Sequence, residues 1–383
     1  MGNLLQDSNS VILYVACFLL TAALAGLAQV YERRTRPMRL SPNIWQSTRP
    51  SLAFWAMSLA VPLLLASLRW QVGTDYVTYG QLYTSLNQID TLGEFVYQLP
   101  ITEPGYILLN FFVKAVFDNV IMIYAICALI ILFFFYRAIE DYHEKGSVLL
   151  AVLVFLALFY SLSLNIMRQM IAVSIIFFAT RYIFQHKYGS AAAWTVVAVS
   201  FHVTALVVVP FWVIRGEMRW QKVTRIAVFA ALVALFFVSM AFGSLIEHIP
   251  LFSSLSLNPQ SNPGFGLFLL RAPILIPILF FRKKILAHDE RNRFWIIFLV
   301  FELAFAYLGY INSVFNRLAL YFAVSWIVLL PQLIRCMPTR SDQYRMGVYL
   351  VLTLAVLWVF NFLLNDHSGV LPYKSLFDAK IIA

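Results

Sequence analysis

The chain has 383 residues, 61% of them hydrophobic and only 12% charged. Globular chains carry about 25% charged residues, so the composition excludes a soluble protein and marks a single integral membrane domain over residues 1–383. The net charge of +10 sits in short loops between apolar runs, not on one face. That distribution argues against nucleic acid as a partner and matches the positive-inside pattern of an inner-membrane protein.

A transmembrane helix takes roughly 20 apolar residues. By that measure full spans are predicted near residues 11–30, 52–68, 120–137, 148–164, 167–185, 226–243, 266–281, 293–310, 318–335 and 346–364, about ten in all. The first lacks a basic segment ahead of it and is followed by Arg33, Arg34, Arg36 and Arg39, so it reads as a retained span and not a signal peptide. Residues 105–117 are too short to cross. So are 190–201 and 203–214, a pair hinged at Phe201 and His202.

Most of the 28 Lys and Arg fall in loops 31–49, 137–147, 181–188, 215–225, 282–293 and 335–345, which are therefore expected on the cytoplasmic side. The topology closes only if 105–117 adds no net crossing and 190–214 returns to its own side. Both then become half-membrane or surface-lying helices. Irregular backbone at membrane depth needs protein or a wet cavity to satisfy it, so an outward-opening cavity is expected. The outer face would carry loop 69–104, residues 165–168 and 311–317, and loop 244–265, whose Ser, Asn and Pro residues suit a lid.

Loop 69–104 is the polar centre of an otherwise apolar chain, and Arg168, His202, Asn316 and Arg317 are expected to converge on it. Asp75 sits in a Gly-Thr-Asp turn and Glu103 stands ahead of Pro104-Gly105, where a solvated carboxylate is the plain alternative. Glu103 also precedes a short apolar helix, whose dipole suits a carboxylate. Arg168 lies between two apolar runs, where a charge is expensive and marks a functional position. Its planar fork donates bidentately to phosphate. Arg271 and Arg317 repeat the theme at outward span ends, with snorkelling to lipid headgroups as the alternative.

His202, at the hinge, is suited to accept a proton or to donate to phosphate, against a structural hydrogen-bonded role. Tyr76, Tyr79 and Tyr106 stand around the polar loop, as sugar-stacking rings or as an interfacial belt. Asn165, Gln169 and Asn316 flank the arginines as sugar-binding or supporting groups. No phosphate-binding glycine loop, His-Glu-x-x-His helix or Cys/His metal spacing occurs. Cys17, Cys127 and Cys336 form no disulfide pattern. Neither a cofactor nor a metal is expected.

At these residues the chain resembles the EpsG family of bacterial exopolysaccharide polymerases, relatives of the Wzy O-antigen polymerases. The resemblance rests on Val72-Gly73-Thr74-Asp75-Tyr76 with Tyr79, Glu103-Pro104-Gly105-Tyr106, residues 166–172 around Arg168-Gln169, and Phe201-His202-Val203-Thr204-Ala205-Leu206. Asn316-Arg317-Leu318 with Tyr321-Phe322, and Leu371-Pro372-Tyr373, are similar to the family's C-terminal features. It implies an all-α, GT-C-like membrane bundle and an inverting glycosyltransferase. Such an enzyme moves a growing glycan from undecaprenyl diphosphate to the next lipid-linked repeat unit, within the bilayer and alongside a chain-length regulator or export complex. Asp75, Glu103 or His202 would then take the acceptor's proton, while Arg168, Arg317 and Arg271 would hold the diphosphate. A lipid-linked oligosaccharide flippase, or a ligase using the same donor, is the competing reading.

Overall fold

The structure, a computed structural model, describes residues 8–35, 49–86, 88–89, 102–142, 146–214, 269–309, 313–366 and 368–377. The expected span 226–243 and the expected lid 244–265 lie outside the described residues. The described chain is helical, and its one isolated antiparallel bridge joins Arg69 to Ser375.

We number the helices α1 (Ser8–Thr35), α2 (Arg49–Ser67), α3 (Tyr76–Leu86), α4 (Pro104–Phe117), α5 (Val120–Glu140) and α6 (Val148–Asn165). There follow α7 (Met167–Phe184), α8 (Tyr188–Phe201), a 3₁₀ stretch Val203–Val208 leading into α9 (Val209–Ile214), α10 (Ala272–Phe280) and α11 (Arg282–His288). The last four are α12 (Asn292–Leu308), α13 (Ser313–Ala323), α14 (Ser325–Arg335) and α15 (Arg340–Trp358).

Among the described residues six helices are long and apolar enough to span: Ser8–Arg34, Val120–Glu140, Val148–Asn165, Met167–Phe184, Val314–Arg335 and Arg340–Leu364. They coincide with six of the expected spans. The expected span 52–68 is a shorter helix, Ser51–Ser67 in its apolar part. Span 293–310 becomes the 17-residue α12. In the described part of span 266–281, α10 is nine residues long and carries an internal Pro277. The short helices are as expected: α4 has 14 residues, and α8 ends at Phe201 ahead of an extended His202. One expectation was too coarse: residues 69–104 contain the 11-residue helix α3. Its buried Tyr76, Tyr79, Tyr83 and Leu86 recur at spacings of three and four, which puts them on one helical face.

Side chains close the helix ends in the usual way. Asn119 accepts from the Ile121 N–H at the start of α5, Ser147 from Leu150 at the start of α6, and Thr339 from Asp342 at the start of α15. Arg33 and Arg34 end α1, a position that suits both the helix dipole and an interface.

The chain divides into two compact units. The first comprises residues 1–87, 109–170 and 330–383. Within it α2 carries Pro62, which has no N–H to give the Ser58 carbonyl four residues back. The Tyr136 hydroxyl donates to that carbonyl instead, at 3.0 Å, and the Ser58 hydroxyl donates to the Thr21 carbonyl at 2.8 Å. In a membrane a freed backbone acceptor needs such a protein donor, because no water replaces it. The Tyr160 hydroxyl, at the end of a π-helical turn (Leu156–Tyr160) in α6, donates to the Pro62 carbonyl at 2.7 Å.

The second unit comprises residues 88–108 and 171–329. Its core is aromatic. Phe211 meets Phe298, Phe301 and Phe322 edge-on, and Phe294 and Trp295 extend the cluster. Trp212 donates from Nε1 to the Thr195 hydroxyl at 2.9 Å, tying α9 back onto α8.

Candidate functional site

The expected site residues fall into two groups, one in each unit. Asp75, Tyr76, Tyr79, Asn165, Arg168 and Gln169 belong to the first unit; Glu103, Tyr106, His202, Arg271, Asn316 and Arg317 belong to the second.

The first group is assembled by a break between two membrane helices. Helix α6 ends at Asn165 and α7 begins at Met167, so Asn165 and Arg168 stand at helix ends on either side of Ile166. The Asn165 side-chain oxygen accepts from the Asp75 N–H at 2.8 Å and from the Thr74 hydroxyl at 2.9 Å. A backbone N–H only donates, so the atom facing it is the carbonyl oxygen. Asn165 thus supplies an external cap to α3, whose first intrahelical bond runs from the Tyr79 N–H to the Asp75 carbonyl at 3.0 Å. Gly73, at φ +103°, makes this turn possible and passes close to the Leu164 carbonyl.

Tyr79 links the turn to Arg168. Its hydroxyl accepts from the Arg168 N–H at 3.5 Å and shares a side-chain hydrogen bond with the same arginine. Burial pushes the Tyr79 phenol above its ordinary value, and Arg168 draws it partly back. Asp75 also acts electrostatically on that phenol. A carboxylate, a phenol and a guanidinium therefore share one corner of this unit. Gln169 is buried beside them. The Tyr76 ring is committed to packing, stacked on Tyr124 at 4.2 Å between centroids.

Arg69, which sequence reasoning did not single out, lies beneath this corner and is 1% exposed. It donates to the Ala66 carbonyl at 3.1 Å, to the Leu164 carbonyl at 3.1 Å and to the Met167 sulfur at 3.3 Å. Its guanidinium lies over the rings of Tyr76 and Tyr124. Burial lowers its pKa, against an opposing pull from Tyr160, Tyr76 and Tyr124; an arginine nonetheless stays protonated. It thereby clamps both sides of the α6–α7 break.

The segment after α15 completes the corner. Backbone bonds run from Gly73 N to Gly369 O (2.8 Å), Thr74 N to Ser368 O (3.0 Å) and Trp70 N to Lys374 O (2.8 Å). Tyr373 donates to the Leu65 carbonyl at 2.9 Å, and Tyr14 of α1 donates to the Val370 carbonyl at 3.2 Å.

In the second unit Glu103 sits directly ahead of α4, where its carbonyl accepts the first helical bonds from Tyr106 and Ile107. Pro104 takes the first helical position, where its missing N–H costs nothing. Gly105 abuts the end of α8: a Cβ there would lie 2.7 Å from the Ser200 carbonyl oxygen. Gly105 thus packs against a residue two positions before His202 in the chain.

His202 is buried and caps the 3₁₀ stretch. Its Nδ1 receives the Thr204 N–H at 3.3 Å and lies 2.7 Å from the Thr204 hydroxyl, which lies 3.0 Å from the Tyr321 hydroxyl. Glu103 acts electrostatically on that Tyr321 hydroxyl. Arg317, one helical turn before Tyr321, shares its face of α13 and is exposed. Asn316 donates to the Gly309 carbonyl at 3.3 Å, and a Cβ at Gly309 would collide with the Asn316 side chain. Arg271 donates from Nε to Glu302 Oε1 at 2.7 Å, and Glu302 is buried. Tyr106 is also buried.

Sequence reasoning missed Arg69, Thr204, Glu302 and Tyr321 as members of these clusters. Glu302 carried a usable signal, being an acid inside an apolar helix.

Helices of this length and apolarity, with a buried Arg69 and a buried His202 beside helix breaks, define a polytopic all-α membrane protein. The chain belongs to the EpsG family, whose model matches residues 52–375. Membership supports a function like that of a polysaccharide polymerase. No curated protein and no solved structure matches the chain.

Proposed function

We propose that this protein is a glycosyltransferase that polymerises a lipid-linked glycan on the outer face of the bacterial inner membrane. The donor is the growing chain on undecaprenyl diphosphate, and the acceptor is the next lipid-linked repeat unit. The observation that carries the reading is the family match over residues 52–375, which contains every candidate site residue.

In the reaction the acceptor hydroxyl oxygen forms a bond to the anomeric carbon of the donor sugar. The bond from that carbon to the diphosphate oxygen breaks, and undecaprenyl diphosphate leaves with the electron pair. The hydroxyl proton passes to Asp75, Glu103 or His202. Back-side attack inverts the anomeric centre.

A diphosphate leaving group needs its developing charge stabilised by fixed donors. Arg168 and Arg317 take that role. Arg271 contributes less, since Glu302 already neutralises it. Tyr79, Tyr106, Asn165, Gln169 and Asn316 hold these groups and the sugars in place, so that proximity supplies much of the rate.

The test uses purified protein in lipid nanodiscs with a lipid-diphosphate repeat unit and no nucleotide sugar. A product ladder from wild type, reduced by about 100-fold or more in Arg168→Ala, is the expected result. Arg168→Lys keeps the charge but loses the fork, and its ladder should shorten too. A single transfer to a different acceptor would make the protein a ligase. Unaltered substrate with transbilayer movement of the lipid would make it a flippase.

A further inference from the structure

We infer that Thr204 and Tyr321 are positioning residues that lock His202 into its Nε2–H tautomer, which makes the histidine a hydrogen-bond donor to an anionic oxygen and not the base. The inference rests on the glycosyltransferase reading for the identity of that oxygen, a phosphate oxygen of the lipid diphosphate. The tautomer itself rests on geometry alone.

The decisive contact is the backbone one. The Thr204 N–H points at His202 Nδ1 from 3.3 Å. An N–H has no lone pair to offer, so Nδ1 must present its own lone pair and carry no proton. A neutral imidazole has one N–H, which then resides on Nε2. The side chains agree. With Nδ1 an acceptor, the Thr204 hydroxyl at 2.7 Å donates to it. That hydroxyl's oxygen is then open to the Tyr321 hydroxyl at 3.0 Å, which donates in turn. The hydrogen bonds run one way, from Tyr321 to Thr204 to His202. The opposite direction would aim an Nδ1–H at the Thr204 N–H.

The consequence is chemical. A histidine that takes a proton at Nε2 must offer a lone pair there, and this tautomer offers an N–H instead. Doubly protonating the ring would turn Nδ1 into a donor facing the fixed Thr204 N–H and would require the Thr204 hydroxyl to turn round and accept. His202 therefore stabilises charge through Nε2–H without a proton crossing. The proton of the acceptor hydroxyl falls to a carboxylate. Of the two candidate carboxylates Asp75 and Glu103, Glu103 is the one in the same unit as His202, and it acts electrostatically on the Tyr321 hydroxyl.

Thr204→Val and Tyr321→Phe remove the two hydroxyls at nearly constant shape, and Thr204→Ser restores the first. The measurement is a ¹⁵N–¹H long-range correlation spectrum of protein labelled at histidine in nanodiscs, with the His202 signals assigned from His202→Gln. Wild type and Thr204→Ser should show His202 Nδ1 bare and Nε2 protonated; Thr204→Val keeps the backbone N–H but loses the hydroxyl, so its Nδ1 resonance should move toward that of an imidazole nitrogen without a hydrogen bond. A protonated Nδ1 in wild type overturns the inference.

Activity gives the second arm. His202→Gln keeps an amide donor near the Nε2 position, whereas His202→Asn keeps only an acceptor near Nδ1. The Gln variant should retain at least about a tenth of the ladder rate, while the Asn variant falls by about 100-fold, as for a lost charge-stabilising donor. Equal inactivity of the two overturns the donor role. A wild-type protein that makes no ladder would sink the glycosyltransferase reading instead, and the spectrum would still decide the tautomer.

Discussion

Asn165 has no charge, yet two donors of a different segment point at its one carbonyl oxygen. Each such bond contributes about 1 kcal/mol net, so Asn165→Ala should lower stability by about 1–2 kcal/mol and release the turn that carries Asp75. Asn165→Asp separates support from chemistry. An aspartate accepts the same two bonds, so thermal unfolding in detergent should match wild type. It also places a negative charge three residues from Arg168, across the α6–α7 break, where the lipid diphosphate is proposed to bind, so the ladder rate should drop by about tenfold or more. An Asp variant with unimpaired polymerisation would remove the diphosphate from this corner.

Helix α4 approaches the end of α8 closely at Gly105. Gly105 leaves no room for a Cβ against the Ser200 backbone. Gly105→Ala must push the helices apart, at a cost of about 2 kcal/mol, as is typical of overpacking, and it should displace Glu103 relative to His202. The expected outcome is a lower melting temperature and a ladder reduced beyond what the lost folded fraction explains. Gly189→Ala, in α8 with nothing within 4 Å of the added carbon, is the control. It should be neutral or stabilising, by up to about 1 kcal/mol.

Both helices were legible in the sequence, because an apolar run too short to cross and a break at Phe201-His202 are local patterns. Helix α3 was not, since tyrosines at three- and four-residue spacing read equally as an interfacial belt. The partners of His202 were half legible. Thr204 lies two residues away, but Tyr321 lies 117 residues beyond Thr204, and no periodicity announces a hydroxyl meeting a hydroxyl. Arg271 was noticed for its position, and Glu302, 31 residues on, was overlooked.

Across the whole molecule the longest reach belongs to the segment after α15. Its backbone pairs with residues 68–74 through donors and acceptors that no sequence pattern marks, some 300 positions apart. The family match runs to residue 375 and takes this segment in, whereas it begins at residue 52 and leaves out α1. Helix α1 nevertheless holds the segment, through Tyr14 on Val370 and through the Ser10 hydroxyl, which accepts from the Tyr373 N–H at 3.0 Å. The turn at Asp75 is thus held by Asn165 from one side and by Gly369 and Ser368 from another. A protein ending at residue 366 loses the second support. Its four long-range backbone bonds to residues 68–74 are worth about 0.5–1.5 kcal/mol each. In that truncated chain amide exchange over residues 70–79 should rise by at least tenfold and the ladder should vanish, while exchange in α12 of the second unit stays at its wild-type rate. Unchanged exchange at 70–79 would mean that α3 and its turn stand without the segment. The match of Leu371-Pro372-Tyr373 to the family would then need a reason other than support of the site.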